Sequence, residues 1–137
     1  MQKVPVLEGT AGHVSGVRFP LEYGKTVVVG RSRSADLSLQ QLDSYQAMSE
    51  EEREKDRAFR TVSGKHFEIT MYNLKAIEVV NLSPNGTYVD GKLIDRMLVD
   101  DLASKSHEIA FGLAERMKLV MSEVPDPGEE AAGQPGD

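Results

Sequence analysis

The sequence contains no cysteine, no long apolar run and no excess of positive charge. Without cysteine there is no disulfide, thiolate metal site or cysteine nucleophile. No stretch approaches the roughly 18 apolar residues of a membrane span, and the opening MQKVPVLEGT lacks the apolar segment of a signal peptide. The formal net charge of −6 argues against a broad basic face for nucleic acid or anionic lipid. We therefore expect a cytoplasmic protein that binds neither nucleic acid nor membrane.

Short β-branched or aromatic runs, bounded by Gly, Pro, Asn or Asp, make up most of the chain. In HFEITMY, Phe67, Ile69 and Met71 occupy alternate positions, which predicts one buried strand face. At 137 residues, this pattern favours one domain built as an antiparallel β-sandwich. The predicted strands are residues 4–7, 17–21, 26–30, 66–72, 76–82, 108–112 and 116–121.

One segment departs from the strand pattern. SEEEREKDRAF begins with Ser49 and has Glu52 three residues later, a capping-box signature that predicts a short helix near residues 49–58. Few apolar residues recur there at helical spacing. We therefore expect an insert, over about residues 42–59, that packs only lightly on the surface.

The end of the sequence differs in composition from the rest. Residues 124–137 are rich in proline, glycine and acidic side chains and show no periodicity. This composition predicts a disordered tail or linker after a globular domain of residues 1–123.

The segment NLSPNGTYVDGK contains two turn signals, Asn85-Gly86 and Asp90-Gly91, with only three residues between them. Such dipeptides favour tight hairpin turns with positive φ at the central residues. A three-residue strand buries little, so two reversals around it predict a segment that presents a side chain at a rim.

Two further clusters could carry chemistry, although each alone fits an ordinary surface loop. Gly30-Arg31-Ser32-Arg33-Ser34 follows one predicted strand, and Thr61-Val62-Ser63-Gly64-Lys65-His66 precedes another. Taken singly, Arg31 is most simply a surface arginine and His66 a structural histidine.

Metal binding and catalysis find no support in the sequence. His13 and His107 lie far from His66 in the chain and lack carboxylates at a ligand-like spacing. No set of nucleophile and base, paired-carboxylate motif or P-loop is visible. We expect no metal, no cofactor and no catalytic residue.

Together, the three clusters resemble the pattern of the forkhead-associated (FHA) domain family. The matching motifs are Gly30-Arg31, Ser63-x-x-His66 and the stretch from Asn85 to Gly91. The resemblance extends from about Val14 to Met121. It implies an all-β sandwich of about eleven strands whose loops at one end bind phosphothreonine. The implied protein is a monomeric adaptor, and its implied partner is a threonine-phosphorylated protein or a Ser/Thr kinase.

The resemblance also implies roles for individual residues. Arg31 would clamp the phosphate with two parallel hydrogen bonds, which a planar guanidinium can donate and lysine cannot. Ser63 would donate its hydroxyl, Gly64 its backbone N–H, and Lys65 would supply charge. Asn85 would bind the peptide main chain, beside a small pocket for the threonine γ-methyl group.

The remaining implied roles are supporting ones. Gly86 and the Asp90-Gly91 pair would shape a rigid prong that holds Asn85 at its tip, and His66 would tie neighbouring loops together. Structural roles fall to Gly30, His66 and Gly91, and possible peripheral contacts to Arg33, Thr61 and Pro84.

Pro84 and Gly64 depart from the family pattern. Pro84 stands where the family often has a hydroxyl or small residue, so a side-chain contact to phosphate is lost while the loop is stiffened. Gly64 replaces a polar or basic side chain. The alternative is a structural interaction domain of the same fold that binds partners without phosphate, and the retention of Arg31, Ser63 and Asn85 argues against it.

Overall fold

The computed structural model describes residues 2–124, which form a β-sandwich of eleven strands in two sheets, as predicted. The predicted tail lies outside the described residues, apart from Val124, which ends the last strand. In chain order the strands are β1 (Gln2–Ala11), β2 (Arg18–Pro20), β3 (Thr26–Gly30), β4 (Leu37–Ser38), β5 (Phe67–Asn73), β6 (Ala76–Asn81), β7 (Thr87–Val89), β8 (Lys92–Ile94), β9 (Arg96–Val99), β10 (His107–Phe111) and β11 (Glu115–Val124).

The six-stranded sheet has the order β2-β1-β11-β10-β7-β8, and the five-stranded sheet has the order β4-β3-β5-β6-β9. All strand pairs are antiparallel except β3 with β4. The longest pairing joins β1 to β11, from Gln2 opposite Val124 to Ala11 opposite Arg116. The first and last strands are therefore neighbours in the middle of one sheet.

The core lies between the two sheets and follows the predicted alternation. Phe67, Ile69 and Met71 on β5 are each no more than 1% exposed, which confirms the predicted buried face. The rings of Phe67 and Phe111 meet edge to face with centroids 5.2 Å apart. Because these two residues belong to opposite sheets, their contact joins the layers of the sandwich.

Asp90-Gly91 forms the predicted tight hairpin, between β7 and β8. Val89 pairs with Lys92, so the turn has two residues, and both have positive φ, 51° for Asp90 and 83° for Gly91. This is the geometry of a type I′ turn, which matches the right-handed twist of the paired strands.

Asn85-Gly86, however, does not form a hairpin, so that prediction is wrong. The turn joins β6 in the five-stranded sheet to β7 in the six-stranded sheet, and these strands do not pair. The prong is also absent, because β7 lies between β8 and β10, and Thr87 and Val89 are no more than 1% exposed. The local sequence shows a turn, but β10, which pairs with the other edge of β7, lies about twenty residues further on.

Three short helices fill the interval between β4 and β5: α1 (Asp43–Gln46), α2 (Glu50–Lys55) and α3 (Arg57–Arg60). Two 3₁₀ turns, Gly12–Val14 and Leu39–Gln41, complete the helical structure. No helix within residues 2–124 could cross a membrane.

The predicted capping box begins α2. The Ser49 hydroxyl accepts from the Glu52 N–H at 3.1 Å, and the Glu52 carboxylate accepts from the Ser49 N–H at 2.9 Å. As expected, α2 buries no side chain. The expectation of light packing is wrong for α3, because Phe59 is only 5% exposed and belongs to the core.

His107 links the β7–β8 turn to the loop before β10. Its ring nitrogens lie 2.5 Å from an oxygen of Asp90 and 2.7 Å from an oxygen of Asp101, and the side chain is only 4% exposed. Burial alone would lower the pKa of His107, but hydrogen bonds to both carboxylates give a net raised pKa. The protonated ring is thus the form that the folded protein favours.

This arrangement predicts a pH-dependent contribution to stability. The folded-state pKa of His107 lies above the unfolded value of about 6.5, so the contribution is full below that pH and is lost as the pH rises through the folded-state pKa. We expect the free energy of unfolding of the wild type, relative to His107→Gln, to fall over the range from about pH 6.5 upward, as the pH rises through the folded-state pKa of His107. Urea unfolding across this range measures the difference, and a difference that stays constant with pH contradicts the assignment.

Candidate functional site

Three loops meet at one end of the sandwich and bring the sequence clusters together. They comprise residues 31–34, 61–66 and 82–86, and are called here the loop cluster. Backbone bonds join the first two, from Arg31 N–H to Ser63 O at 2.9 Å and from Ser32 N–H to Gly64 O at 3.0 Å. The Asn85 side chain joins the third loop to the second.

Gly30 allows the first two loops to lie side by side. A Cβ atom at this position would lie 2.2 Å from the Gly64 carbonyl oxygen, a distance that no side chain could tolerate. Gly30 is therefore a steric requirement for the contact between these two loops. Arg31 follows it at the end of the strand and lies directly beside Ser63.

The charge of the loop cluster is opposite to that of the whole chain. Its loops contain Arg31, Arg33 and Lys65 but no aspartate or glutamate, whereas the chain carries a net charge of −6. Arg31 is half-buried, and within residues 2–124 its guanidinium forms no ion pair and no hydrogen bond. An arginine held at a strand end without an acidic partner is a ready donor to an anion.

Ser63 lies beside Arg31 with its hydroxyl 2.5 Å from that of Ser83. The Ser83 oxygen also accepts from the Asn85 N–H at 3.0 Å. When Ser83 donates to Ser63, the Ser63 O–H remains free to donate outward. Within the described chain the backbone N–H groups of Gly64 and Lys65 also have no acceptor. Several donors thus lie on the loop that adjoins Arg31.

His66 is fully buried beneath the loop cluster. Its Nδ1 accepts from the Ser63 N–H at 3.0 Å, which leaves Nε2 to donate to the Gly86 carbonyl at 2.7 Å. Burial lowers the pKa of His66, and the ring is therefore neutral at pH 7. One imidazole in a fixed tautomer thus holds two loops that come from different sheets.

Asn85 lies exposed at the Asn85-Gly86 turn, on the third loop of the loop cluster. Its Nδ2 donates to the Thr61 carbonyl at 2.9 Å, and no group in residues 2–124 donates to its Oδ1. Thr61 is a junction, since its hydroxyl also accepts from the Leu113 N–H at 2.8 Å. The Asn85 amide is therefore oriented by one bond and has an oxygen left to accept another.

The structure locates the remaining predicted residues at different depths. Arg33, Lys65 and Pro84 are exposed on the loop cluster, where a ligand could contact them. Gly91 lies away from the loop cluster. The three-residue strand β7, about 10 Å long, lies between it and Gly86. The expectation that the Asp90-Gly91 pair shapes the tip around Asn85 is thus wrong.

Sequence reasoning missed Asn81, Ser83 and Phe59. The Asn81 amide accepts from the Ser83 N–H and the Thr87 hydroxyl and donates to the Ser83 carbonyl, all within 3.1 Å, so it shapes the third loop. An asparagine followed two residues later by a serine is a signal for such a turn. Nothing in the local sequence indicates that Phe59 lies beneath Arg31 with the guanidinium carbon 5.9 Å from its ring centroid.

No metal or catalytic constellation accompanies the loop cluster. Within residues 2–124, no three histidine, aspartate or glutamate side chains converge as metal ligands would. The neutral His66 spends both nitrogens on backbone groups, so it has no free nitrogen to act as a base. The arrangement suits anion binding through fixed donors.

We predict that His66→Ala mainly destabilises the fold. It removes two hydrogen bonds of a buried ring and leaves a cavity, so the free energy of unfolding should fall by about 2–4 kcal/mol. Thermal melting followed by circular dichroism measures the loss. An unchanged melting temperature would show that the ring does not hold the loops.

Solved structures share the fold at low sequence identity. The FHA domain of the CT664 protein from Chlamydia trachomatis is 24% identical with a TM-score of 0.64, over 89% of this chain and all of that one. A structure from an analysis of phosphothreonine-dependent FHA domain interactions is 21% identical with a TM-score of 0.60, over 90% of this chain and all of that one.

A third structure, Mycobacterium tuberculosis EmbR in complex with a low affinity phosphopeptide, is 20% identical with a TM-score of 0.59. The match spans 92% of this chain and 27% of EmbR. No curated protein sequence matches the chain. The sequence model of the FHA domain matches residues 27–112, which is more than half of the chain and includes Arg31, Ser63, His66 and Asn85. The chain therefore belongs to the FHA domain family.

Proposed function

We propose that this chain is a non-catalytic module that binds threonine-phosphorylated segments of partner proteins. The observation that carries the proposal is that Arg31 is half-buried and its guanidinium has no acidic partner in residues 2–124. Its backbone N–H donates to the Ser63 carbonyl at 2.9 Å, so the two residues lie side by side. An acidic protein has many carboxylates that could pair with this cation, and its lack of a partner is explained if a phosphate completes the site.

The donors of the loop cluster match the chemistry of a phosphate group. Arg31 can donate two parallel hydrogen bonds to two phosphate oxygens. The Ser63 hydroxyl and the backbone N–H groups of Gly64 and Lys65 can donate to the remaining oxygen. Because no carboxylate lies in these loops, nothing there repels a phosphate dianion.

Asn85 supplies the contact to the peptide backbone. Its Oδ1 is free to accept from a main-chain N–H, while the bond from Nδ2 to Thr61 prevents the amide from turning away. A phosphate held at Arg31 and a peptide group held at Asn85 fix two points of an extended segment. Two fixed points set the register of the ligand as well as its charge.

The family membership and the phosphopeptide complex of EmbR support this proposal. A phosphothreonine ligand requires a Ser/Thr kinase upstream, so we place the protein in kinase signalling as a monomeric cytoplasmic adaptor. The alternative is an interaction domain of the same fold that ignores phosphate. A phosphorylated and an unphosphorylated version of one peptide distinguish these two functions, since only the first function requires the phosphate.

We expect Arg31→Ala to weaken phosphopeptide binding at least tenfold and leave the fold intact. A hydrogen bond to a charged group contributes about 1.5–3 kcal/mol, which corresponds to roughly ten- to a hundredfold in affinity. Isothermal titration with the best ligand from an oriented phosphothreonine peptide library measures the change.

Arg33→Ala is the matched control, because it removes the same charge from the same loop at an exposed position. Its effect should stay below about fivefold, as is usual for exposed charges. Equal losses in the two variants would mean that charge alone attracts the ligand, and unchanged affinity of a folded Arg31→Ala variant would overturn the role of Arg31.

We also predict a preference for phosphothreonine over phosphoserine in the same peptide. Arg31 and Ser63 contact only the phosphate, which is the same in both ligands. The difference must come from a pocket for the γ-methyl group beside Asn85. Burying one methyl group contributes about 0.8 kcal/mol, so a preference of roughly fourfold or more is expected. Fluorescence anisotropy at one salt concentration compares the two peptides, and equal affinities would argue against the pocket.

A further inference from the structure

Four side chains form a row of successive contacts, called here the column, that ends at the candidate phosphate site. The Arg53 guanidinium carbon lies 4.4 Å from the ring centroid of Tyr45. The rings of Tyr45 and Phe59 are stacked at 4.4 Å with an interplanar angle of 20°. Arg31 completes the column over the other ring of the pair, 5.9 Å from the Phe59 centroid. Three members come from the helical insert, and the fourth is the arginine assigned to the phosphate.

The sandwich holds this column from the side through His13. The His13 ring meets the edges of Tyr45 and Phe59, with centroids 5.9 Å and 5.4 Å away. Its Nε2 lies 2.7 Å from the Asp56 carboxylate, whose other oxygen accepts from the Phe59 N–H at 3.0 Å. The ring of Phe59 is therefore fixed in position as well as buried.

Further hydrogen bonds hold His13 and Arg53 in place. The buried Glu115 carboxylate on β11 accepts from the backbone N–H groups of His13 and Val14 at 3.1 Å and 3.0 Å. At the other end, the Arg53 guanidinium donates to the Tyr45 carbonyl at 3.1 Å. Hydrogen bonds through His13 and Glu115 thus connect the insert to a strand of the six-stranded sheet. A lightly packed surface loop would not require these connections.

We propose that Phe59 is a positioning residue for Arg31, so that the helical insert is part of the phosphate site. The inference rests on the proposed phosphopeptide binding. A core role explains why Phe59 is buried, but it does not explain why an arginine without an acidic partner lies over its ring. A flexible arginine loses rotamer freedom when it clamps an anion, and a guanidinium already held over an aromatic face loses less.

The first test compares Phe59→Leu with Phe59→Tyr, which keeps an aromatic face, and with Phe19→Leu, the same substitution at a partly buried position on β2. We expect Phe59→Leu to weaken phosphopeptide binding about three- to tenfold. The phosphopeptide affinities of Phe59→Tyr and Phe19→Leu should stay within about twofold of wild type. A difference of that size is what a general loss of packing would cause. Binding by Phe59→Leu within twofold of wild type, or equal losses in the leucine and tyrosine variants, overturns the inference.

The second test measures the NMR resonance of the Arg31 side chain, and this measurement needs no peptide. In the wild type, the ring current of Phe59 should shift the Nε–Hε resonance of Arg31, and this shift should disappear in Phe59→Leu. If Phe59→Leu does not fold, a trifluorinated phenylalanine at the same position keeps the shape of the ring and weakens its attraction for a cation. Phosphopeptide affinity should then fall as for leucine, and unchanged affinity and resonance overturn the inference.

The two proposals fail in different ways. If the wild type binds no phosphopeptide from the library, the proposed function is wrong, while the Arg31 resonance still decides whether Phe59 positions the guanidinium. If the wild type binds and Arg31→Ala does not, but Phe59→Leu binds as tightly as wild type, the proposed function stands and the positioning role is wrong.

Discussion

The His66 imidazole lies between two loops that lead into opposite sheets, and the loop cluster depends on it. It accepts from the Ser63 N–H just before β5 and donates to the Gly86 carbonyl just before β7. The bond to Gly86 is buried, so breaking it would leave a polar group without water or partner, and the bond from Ser63 is part-buried. Because the ring is neutral, it holds the loops without adding a charge to the place where an anion would bind.

Much of the fold and of the candidate site could be predicted because the relevant signals are local or match a family pattern. The alternation of Phe67, Ile69 and Met71 predicts a buried face, and Ser49 with Glu52 predicts the start of a helix. Each signal lies within a few residues of the structure that it specifies. The choice of site residues came from the order of the three motifs, and the structure places Arg31, Ser63 and Asn85 on adjoining loops.

The features that could not be predicted depend on contacts between distant parts of the chain. The Asn85-Gly86 turn joins two sheets because β7 pairs with β10, and neither segment alone specifies that pairing. Ser83 contacts Ser63 twenty residues away. Phe59 is a lone aromatic in a polar helix, and only the fold shows that Tyr45, His13 and Arg31 surround its ring. A hydrophobic pattern read along one helix carries no information about such neighbours.

The pairing of β1 with β11 has a mechanical consequence. Gln2 and Val124 are opposite each other at one end of this antiparallel pair, and the other end of β11 adjoins the loop cluster through Leu113 and Thr61. The ten residues of β11 separate the two ends by about 30 Å. Tension applied between Gln2 and Val124 would load the hydrogen bonds of this pair one after another, as in unzipping, instead of shearing them all at once. A pull at these points would therefore peel the sheet from the far end and reach the loop cluster last.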